Sequence, residues 1–113
     1  MAERTIELIP DIKKYIIYIK SQIDVKKIIL FGSYAKGNQN KESDIDLAII
    51  SPQFGYSPLL EKIRLYELKY DADIQANIDL VPIGLDEYEG NDNFFINEIK
   101  KEGIDITNNI FDQ

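Results

Sequence analysis

The sequence predicts an α/β (α+β) fold in which helices flank a small mixed β-sheet. Two observations support this prediction. Apolar residues recur at every third or fourth position in several segments, as in amphipathic helices, and short β-rich runs alternate with those segments. The predicted order is helix, strand, short helix, strand, helix, strand and helix, which indicates a sheet covered by helices. At 113 residues, the chain is expected to form one domain that spans residues 1–113.

The first third of the chain predicts a helix, a strand and a tight turn. Isoleucines recur at helical spacing from near the N-terminus. Because a proline inside a helix removes a hydrogen bond, the regular helix is predicted to run from near Pro10 to about Ser21. Residues 26–31 then form a β-rich run that ends at Gly32, and Ser33 is a suitable cap for a short helix after the turn.

The middle of the chain predicts a loop, a strand and a second long helix. Residues 37–43 are small and polar, as in a loop. Residues 44–50 alternate between polar and apolar types and then become uniformly apolar, which predicts a strand that begins at Asp44. Pro58 is well placed in the first turn of a helix that extends to about Tyr70.

The last third of the chain predicts a strand, a turn and a final helix. Residues 74–81 alternate between apolar and polar types, as in a strand with one buried face. Pro82 and Gly84 are turn signals. Residues 91–102 predict a helix that stops at Gly103.

The composition excludes several classes of function. The formal charge is −7, which disfavours nucleic acid as the main substrate, because such binding needs clustered lysine and arginine. The chain contains no cysteine and no histidine, so thiolate zinc sites and Ser-His-Asp catalysis are excluded. Carboxylates must therefore perform any metal or proton chemistry. No apolar stretch approaches the ~20 residues of a membrane helix, so a cytoplasmic protein is expected, with no membrane partner.

Three separated pieces of the sequence form a candidate site when they are combined. Asp44 and Asp46 occupy alternate positions of a strand, which places both carboxylates on one face about 6 to 7 Å apart, a geometry suited to a divalent metal ion. Asp79, on the polar face of the third strand, could add another carboxylate if the two strands are neighbours. Gly32 and Ser33 could offer backbone and hydroxyl donors to phosphate. Together these residues indicate nucleotidyl transfer.

These motifs resemble a known signature. Gly32-Ser33, ten intervening residues and then Asp44-Ile45-Asp46 resemble the signature of the DNA polymerase β-type nucleotidyltransferase superfamily. Within it, residues 32–37 (Gly-Ser-Tyr-Ala-Lys-Gly) and 43–47 (Ser-Asp-Ile-Asp-Leu) look most like minimal nucleotidyltransferases (MNT). The resemblance covers roughly residues 26–83 and implies the polymerase β-like fold. Such proteins are commonly the antitoxin of HEPN/MNT toxin–antitoxin pairs, in which they transfer AMP from ATP to a tyrosine of the HEPN toxin.

The resemblance also implies a role for each carboxylate. Asp44 and Asp46 would hold two Mg²⁺ ions, and oxygen ligands suit that metal. Asp79 would bind the ion at the acceptor hydroxyl and help to remove its proton. The alternative for Asp79 is an ordinary charge on an edge strand.

On the phosphate side, the resemblance implies roles for the residues of the Gly-Ser turn. Gly32 would let the backbone approach the triphosphate of ATP closely, and Ser33 would contact its terminal phosphates. Many relatives carry arginine where this chain has Lys36, so both a phosphate contact and a solvated surface position stay open for Lys36. Tyr34 is expected to pack in the fold, with stacking on a nucleotide base as the alternative.

The sequence leaves three functional hypotheses. The first is a Mg²⁺-dependent transferase that moves AMP onto a hydroxyl of a partner protein, namely a HEPN-type toxin. The second is a catalytically inactive antitoxin that acts by binding alone. The third is a small-molecule nucleotidyltransferase of the aminoglycoside-modifying type. Several aromatic residues are expected at the surface, which leaves a homodimer or a toxin interface open.

Overall fold

The structure is a computed structural model that describes residues 2–37 and 44–108. Its elements in chain order are α1 (Ala2–Gln22), β1 (Lys27–Phe31), α2 (Ser33–Lys36), β2 (Ile45–Ser51), α3 (Pro58–Asp71), β3 (Ile78–Gly84), α4 (Leu85–Glu89), α5 (Phe94–Glu102) and β4 (Ile104–Asp105). The predicted α/β fold with a small mixed sheet is confirmed. Most of the predicted loop at residues 37–43 lies outside the described residues.

The four strands form one sheet in the order β3-β2-β1-β4. Strand β2 pairs with β1 in the antiparallel sense and with β3 in the parallel sense. Because β1 runs against β2 and β3 runs with it, β1 ends at the sheet edge where β2 and β3 both begin. That edge brings together the turn after β1 and the first residues of β2 and β3.

Both faces of the sheet are covered. On one face, α1 and α3 pack against the strands through a large apolar cluster, in which Tyr15 donates a hydrogen bond to the Leu65 carbonyl at 3.1 Å. On the other face, α5 packs through a smaller cluster that includes Ile29, Ala48 and Ile99. Among the helices in residues 2–37 and 44–108, none has the length and apolar character that a membrane crossing requires.

Two expectations for the first third of the chain are wrong. Helix α1 begins at Ala2, and Pro10 lies inside it, so the proline removes one hydrogen bond without setting the start of the helix. The N-cap of α2 is Gly32, and Ser33 is its first helical residue, with no side-chain capping bond. The turn therefore depends on a glycine backbone instead of a serine cap.

The third strand lies later in the chain than predicted. It begins at Ile78, and Pro82 is inside it, although proline was expected to mark a turn. Strand β3 is at the edge of the sheet, where a missing N–H is tolerated when it faces outward. Leu80 N–H bonds outward to the Tyr66 hydroxyl, and alternate residues direct their N–H groups to the same side, so Pro82 also lacks its N–H on the outer side. Helix α4 and strand β4 were not predicted from the sequence.

The loop before α3 is held by one carboxylate, which leads to a testable prediction. Glu61 accepts hydrogen bonds from the backbone N–H groups of Gly55, Tyr56 and Ser57, each at 3.0 Å. Burial by itself raises the pKa of Glu61, but these three donors outweigh it, so the pKa lies below its ordinary value. The interaction therefore stabilises the fold above the ordinary glutamate pKa and is lost as the pH falls through the lowered value.

We expect Glu61→Gln to reduce the free energy of unfolding by about 1 kcal/mol at pH 7, because hydrogen bonds to a charged acceptor are lost. The difference should shrink as the pH falls through the lowered pKa of Glu61, because protonation removes the charged acceptor. Urea unfolding at pH 7 and at pH 3 measures both quantities. Glu67→Gln, at an exposed position of the same helix, is the control. An equal loss at both pH values would contradict the assignment.

Candidate active site

The structure places Asp46 and Asp79 next to each other at the sheet edge where β2 and β3 begin. The two residues are direct partners in the parallel β2–β3 ladder, and Phe31 at the end of β1 pairs with Asp46 from the other side. Within β2, Ile45 and Leu47 are buried while Asp46 is half-buried, as the predicted alternation requires. Asp44 is exposed and lies just before β2 instead of opening it.

Gly32 lies directly against the Asp46 carboxylate. It follows β1 and has a φ of 75° and a ψ of −152°, a conformation that side chains other than glycine rarely adopt. A Cβ atom at this position would lie 2.1 Å from Asp46 Oδ2 and 3.0 Å from Asp46 Cγ. Because Gly32 has no side chain, the space beside it is free for the Asp46 carboxylate.

The electrostatics of the pair match its geometry. Burial raises the pKa of Asp46 to about 6, and the charges of Asp79 and Asp44 add to this effect. A hydrogen bond between the Asp46 and Asp79 side chains acts in the same direction. When two carboxylates lie this close, a proton or a cation between them stabilises the pair.

The Asp79 carboxylate has two further contacts, both from α3. The Tyr66 hydroxyl donates to Asp79 Oδ1 at 3.3 Å, and Lys62 Nζ lies 3.6 Å from the same oxygen. The backbone N–H of Leu80 donates to the Tyr66 oxygen at 3.1 Å. Neither α3 residue was predicted to lie at the site, because the pattern of an amphipathic helix does not show which tyrosine or lysine contacts a carboxylate on a strand.

The structure also places the remaining predicted residues. Ser33 is half-buried at the start of α2, beside the Gly32 turn. Tyr34 is buried in the large apolar cluster, which agrees with the packing interpretation. Lys36 is exposed and forms an ion pair with Glu102, with 3.2 Å between Nζ and Oε1. Its contact with phosphate stays a prediction.

The donor set suits a hard divalent ion, although the three aspartates do not converge. Within the part of the chain that the structure describes, no group of three or more carboxylates is close enough to hold a metal ion. Asp46 and Asp79 nevertheless present facing oxygen donors, and Mg²⁺ binds proteins through such oxygens. Burial first, and then the charges of Asp79 and Asp44, raise the pKa of Asp46, and a bound cation would offset both effects.

A surface groove of about 710 Å³ runs along the outer side of α3. Tyr66 and Tyr70 are two of its lining residues, and Ile63 lies between them and the N-terminal end of the helix. Tyr66 also contacts Asp79, so one side chain that lines the groove touches the carboxylate pair. Solvent can therefore approach the Tyr66 side chain.

A glycine turn that abuts paired carboxylates on neighbouring strands is the arrangement that the sequence motifs predict for a nucleotidyltransferase. Comparison with known proteins agrees: residues 13–110 match the family described as "Polymerase beta, Nucleotidyltransferase". The chain belongs to this family, and the resemblance found in its sequence motifs is confirmed.

Individual relatives support the same assignment. The chain is 34% identical over 108 residues to "Putative protein adenylyltransferase MJ0141" of Methanocaldococcus jannaschii, covering 89% of this chain and 97% of that protein. It is 36% identical over 58 residues to "Protein adenylyltransferase MntA" of Shewanella oneidensis, covering 50% of this chain and 38% of that protein. A crystal structure of "a putative nucleotidyltransferase" from Sulfolobus solfataricus shares the fold, with a TM-score of 0.70 at 17% identity over 93% of this chain and 84% of that one.

Proposed function

We propose that the chain transfers AMP from ATP to a hydroxyl of a partner protein, with Mg²⁺, as the antitoxin of a HEPN/MNT toxin–antitoxin pair. The observation that supports this most is the ladder pairing of Asp46 with Asp79 beside the Gly32 turn. Relatives named as protein adenylyltransferases support a protein acceptor.

In the proposed reaction, each residue acts through its position. Gly32 and Ser33, at the end of β1 and next to Asp46, would bind the triphosphate. Asp44 and Asp46 would hold the metal on the phosphate side. Asp79, on the acceptor side, would accept the proton of the attacking hydroxyl. Bound Mg²⁺ would neutralise charge that develops on the phosphate oxygens.

The contacts of Asp79 support its place on the acceptor side. Its Oδ1 already accepts a hydrogen bond from a hydroxyl group, that of Tyr66, and lies near the cation of Lys62. A base for hydroxyl activation must lie within hydrogen-bond reach of the hydroxyl. Asp79 Oδ1 meets this requirement for the Tyr66 hydroxyl, which it contacts at 3.3 Å.

The test combines the purified protein with Mg²⁺, radiolabelled ATP and the protein encoded by the neighbouring gene. We expect label on that partner, and we expect its loss when Asp44 and Asp46 are both changed to Asn. Circular dichroism of the double variant checks that the fold is intact. Transfer that survives the double change would overturn the metal-site assignment.

The two alternatives give different results in the same experiment. An antitoxin that acts only by binding would give no label, and the double variant would still neutralise the partner. A small-molecule transferase would label an added aminoglycoside and leave proteins unlabelled. Either result would replace the proposed acceptor.

A further inference from the structure

The Tyr66 hydroxyl lies where a nucleophile for the proposed transfer would be activated. It donates its proton to Asp79 Oδ1 at 3.3 Å, and its oxygen accepts the Leu80 N–H at 3.1 Å. The N–H would stabilise negative charge that develops on the phenolic oxygen as the proton leaves. A phenol oxygen has two lone pairs, so one remains to form a new bond.

The order of groups along the sheet edge is the order that transfer to Tyr66 needs. Gly32 contacts Asp46, Asp46 pairs with Asp79, and Asp79 contacts Tyr66. The Gly32 turn is thus at one end of this row and the Tyr66 hydroxyl is at the other, with the two carboxylates between them. Tyr66 projects from α3, which packs on the opposite face of the sheet from α5, and its hydroxyl meets Asp79 at the free edge of β3.

We propose that Tyr66 is itself an acceptor, so that the chain modifies its own Tyr66 with the nucleoside monophosphate that it takes from a nucleoside triphosphate. This inference rests on the proposed function, because it uses the same carboxylates and the same nucleotide. It adds a modification site within the chain and requires no partner protein.

The step balances with these groups alone. The Tyr66 oxygen forms a bond to the α-phosphorus of ATP, and the bond from that phosphorus to the bridging oxygen breaks. Pyrophosphate leaves with the electron pair, and the phenolic proton passes to Asp79 and then to solvent. The product is a phosphodiester between AMP and tyrosine. This group would lie beside Asp79 and obstruct other acceptors, so self-modification would lower transfer to a partner.

Tyr70 provides a matched control on the same helix. Both tyrosines line the groove along α3, and Tyr70 is 85% exposed against 36% for Tyr66. If exposure decided which tyrosine reacts, Tyr70 would be modified first. If contact with Asp79 decides, Tyr66 is modified and Tyr70 is not.

The experiment incubates the full chain with Mg²⁺ and radiolabelled ATP, followed by intact-mass measurement and peptide mapping. We expect a gain of one AMP per chain on Tyr66. The amount of label per chain should fall at least tenfold in Tyr66→Phe and in Asp79→Asn. It should stay unchanged in Tyr70→Phe. The fraction labelled per unit time should not change on dilution, because the acceptor belongs to the same molecule.

A second measurement uses the metal-free protein and does not depend on activity. Tyr66→Phe should shift the carboxyl carbon NMR resonance of Asp79, and Tyr70→Phe should leave it in place. Thermal unfolding confirms that both variants are folded. An unchanged Asp79 resonance in folded Tyr66→Phe would overturn the contact on which the inference depends.

The outcomes separate this inference from the proposed function. Label on the neighbouring gene's product with none on Tyr66 would overturn self-modification and leave the proposed function intact. Label that persists in Tyr66→Phe, or label that follows the exposed Tyr70, would overturn it as well. No transfer to any acceptor by folded protein would overturn both.

Discussion

Replacing Asp46 with asparagine is expected to abolish most nucleotidyl transfer while making the metal-free protein more stable. Loss of a carboxylate that we propose to hold the metal should lower the rate by about 10³-fold, because it removes several kcal/mol of charge stabilisation in the transition state. The stability effect has the opposite sign. Asp46 pairs with Asp79 in the ladder, and asparagine keeps the shape of the side chain without a half-buried charge beside another carboxylate.

The pH dependence of this gain follows from the pKa of Asp46. Burial and the neighbouring carboxylates raise the folded-state pKa to about 6, so the folded state binds the proton more tightly than the unfolded state does. Ionisation of Asp46 therefore costs stability above pH 6, and the cost disappears as the pH falls toward 4. We expect Asp46→Asn to gain about 1 kcal/mol at pH 7.5 after solvent screening, and nothing near pH 3.5.

Thermal unfolding in a chelator, at both pH values, measures the gain. A gain of this size corresponds to a rise in Tm of about 4 °C or more for a chain of this length. Asp92→Asn is the control, because it changes the net charge equally at an exposed position outside the site. An equal rise in Asp92→Asn would mean that the overall charge, and not the carboxylate pair, sets the effect. Added Mg²⁺ should stabilise the wild-type protein more than Asp46→Asn.

Strong periodicity explains which elements were predicted from the sequence. Strand β1 and helix α3 lie within a residue or so of their predicted positions, because apolar runs and a proline at the helix start mark them clearly. The third strand was placed too early because Ile74 and Ala76 are buried without belonging to the ladder. The Ala76 N–H bonds to the Asp11 side chain of α1 at 3.1 Å, a tertiary contact that no local pattern contains.

The short elements α4 and β4 were not predicted from the sequence, for a related reason. Strand β4 has only two residues, Ile104 and Asp105, and it exists because β1 offers it an open edge. Helix α4 is a single turn within an acidic run that resembles a solvated loop. Neither has enough residues to show a period, so pairing and packing decide both.

The sequence predicted the residues of the candidate site, but not which of their side chains contact one another. Residue types and spacing suggested Asp44, Asp46 and Asp79, whereas the antiparallel and parallel pairing of β2 was needed to place Asp46 opposite Asp79. The contacts of Tyr66 and Lys62 with Asp79 depend on how α3 crosses the edge strand. That geometry follows from the packing of the whole fold, and no spacing in the sequence encodes it.

Gly32→Ala is expected to reduce transfer nearly as much as the loss of Asp46 itself. A Cβ atom 2.1 Å from Asp46 Oδ2 forces the carboxylate to rotate away from its place beside Asp79. The positive φ of 75° adds backbone strain, for a total stability cost of about 1 to 3 kcal/mol. We expect the rate to fall by about 10³-fold, with the protein still folded at 25 °C. Initial rates of AMP transfer and urea unfolding measure the two effects.

Two other glycines separate strain from displacement of the carboxylate. Gly55 has a φ of 104°, and a Cβ there would lie 3.4 Å from its nearest neighbours, outside the carboxylate pair. Gly55→Ala should therefore cost stability without lowering transfer. A Cβ at Gly90 would meet only ordinary contacts, the nearest at 3.6 Å, and its φ is −78°, so Gly90→Ala should change neither quantity. If Gly55→Ala lowered transfer as much as Gly32→Ala, global destabilisation would explain the loss. If Gly32→Ala alone lowers it, the close approach of the turn to Asp46 is required for transfer.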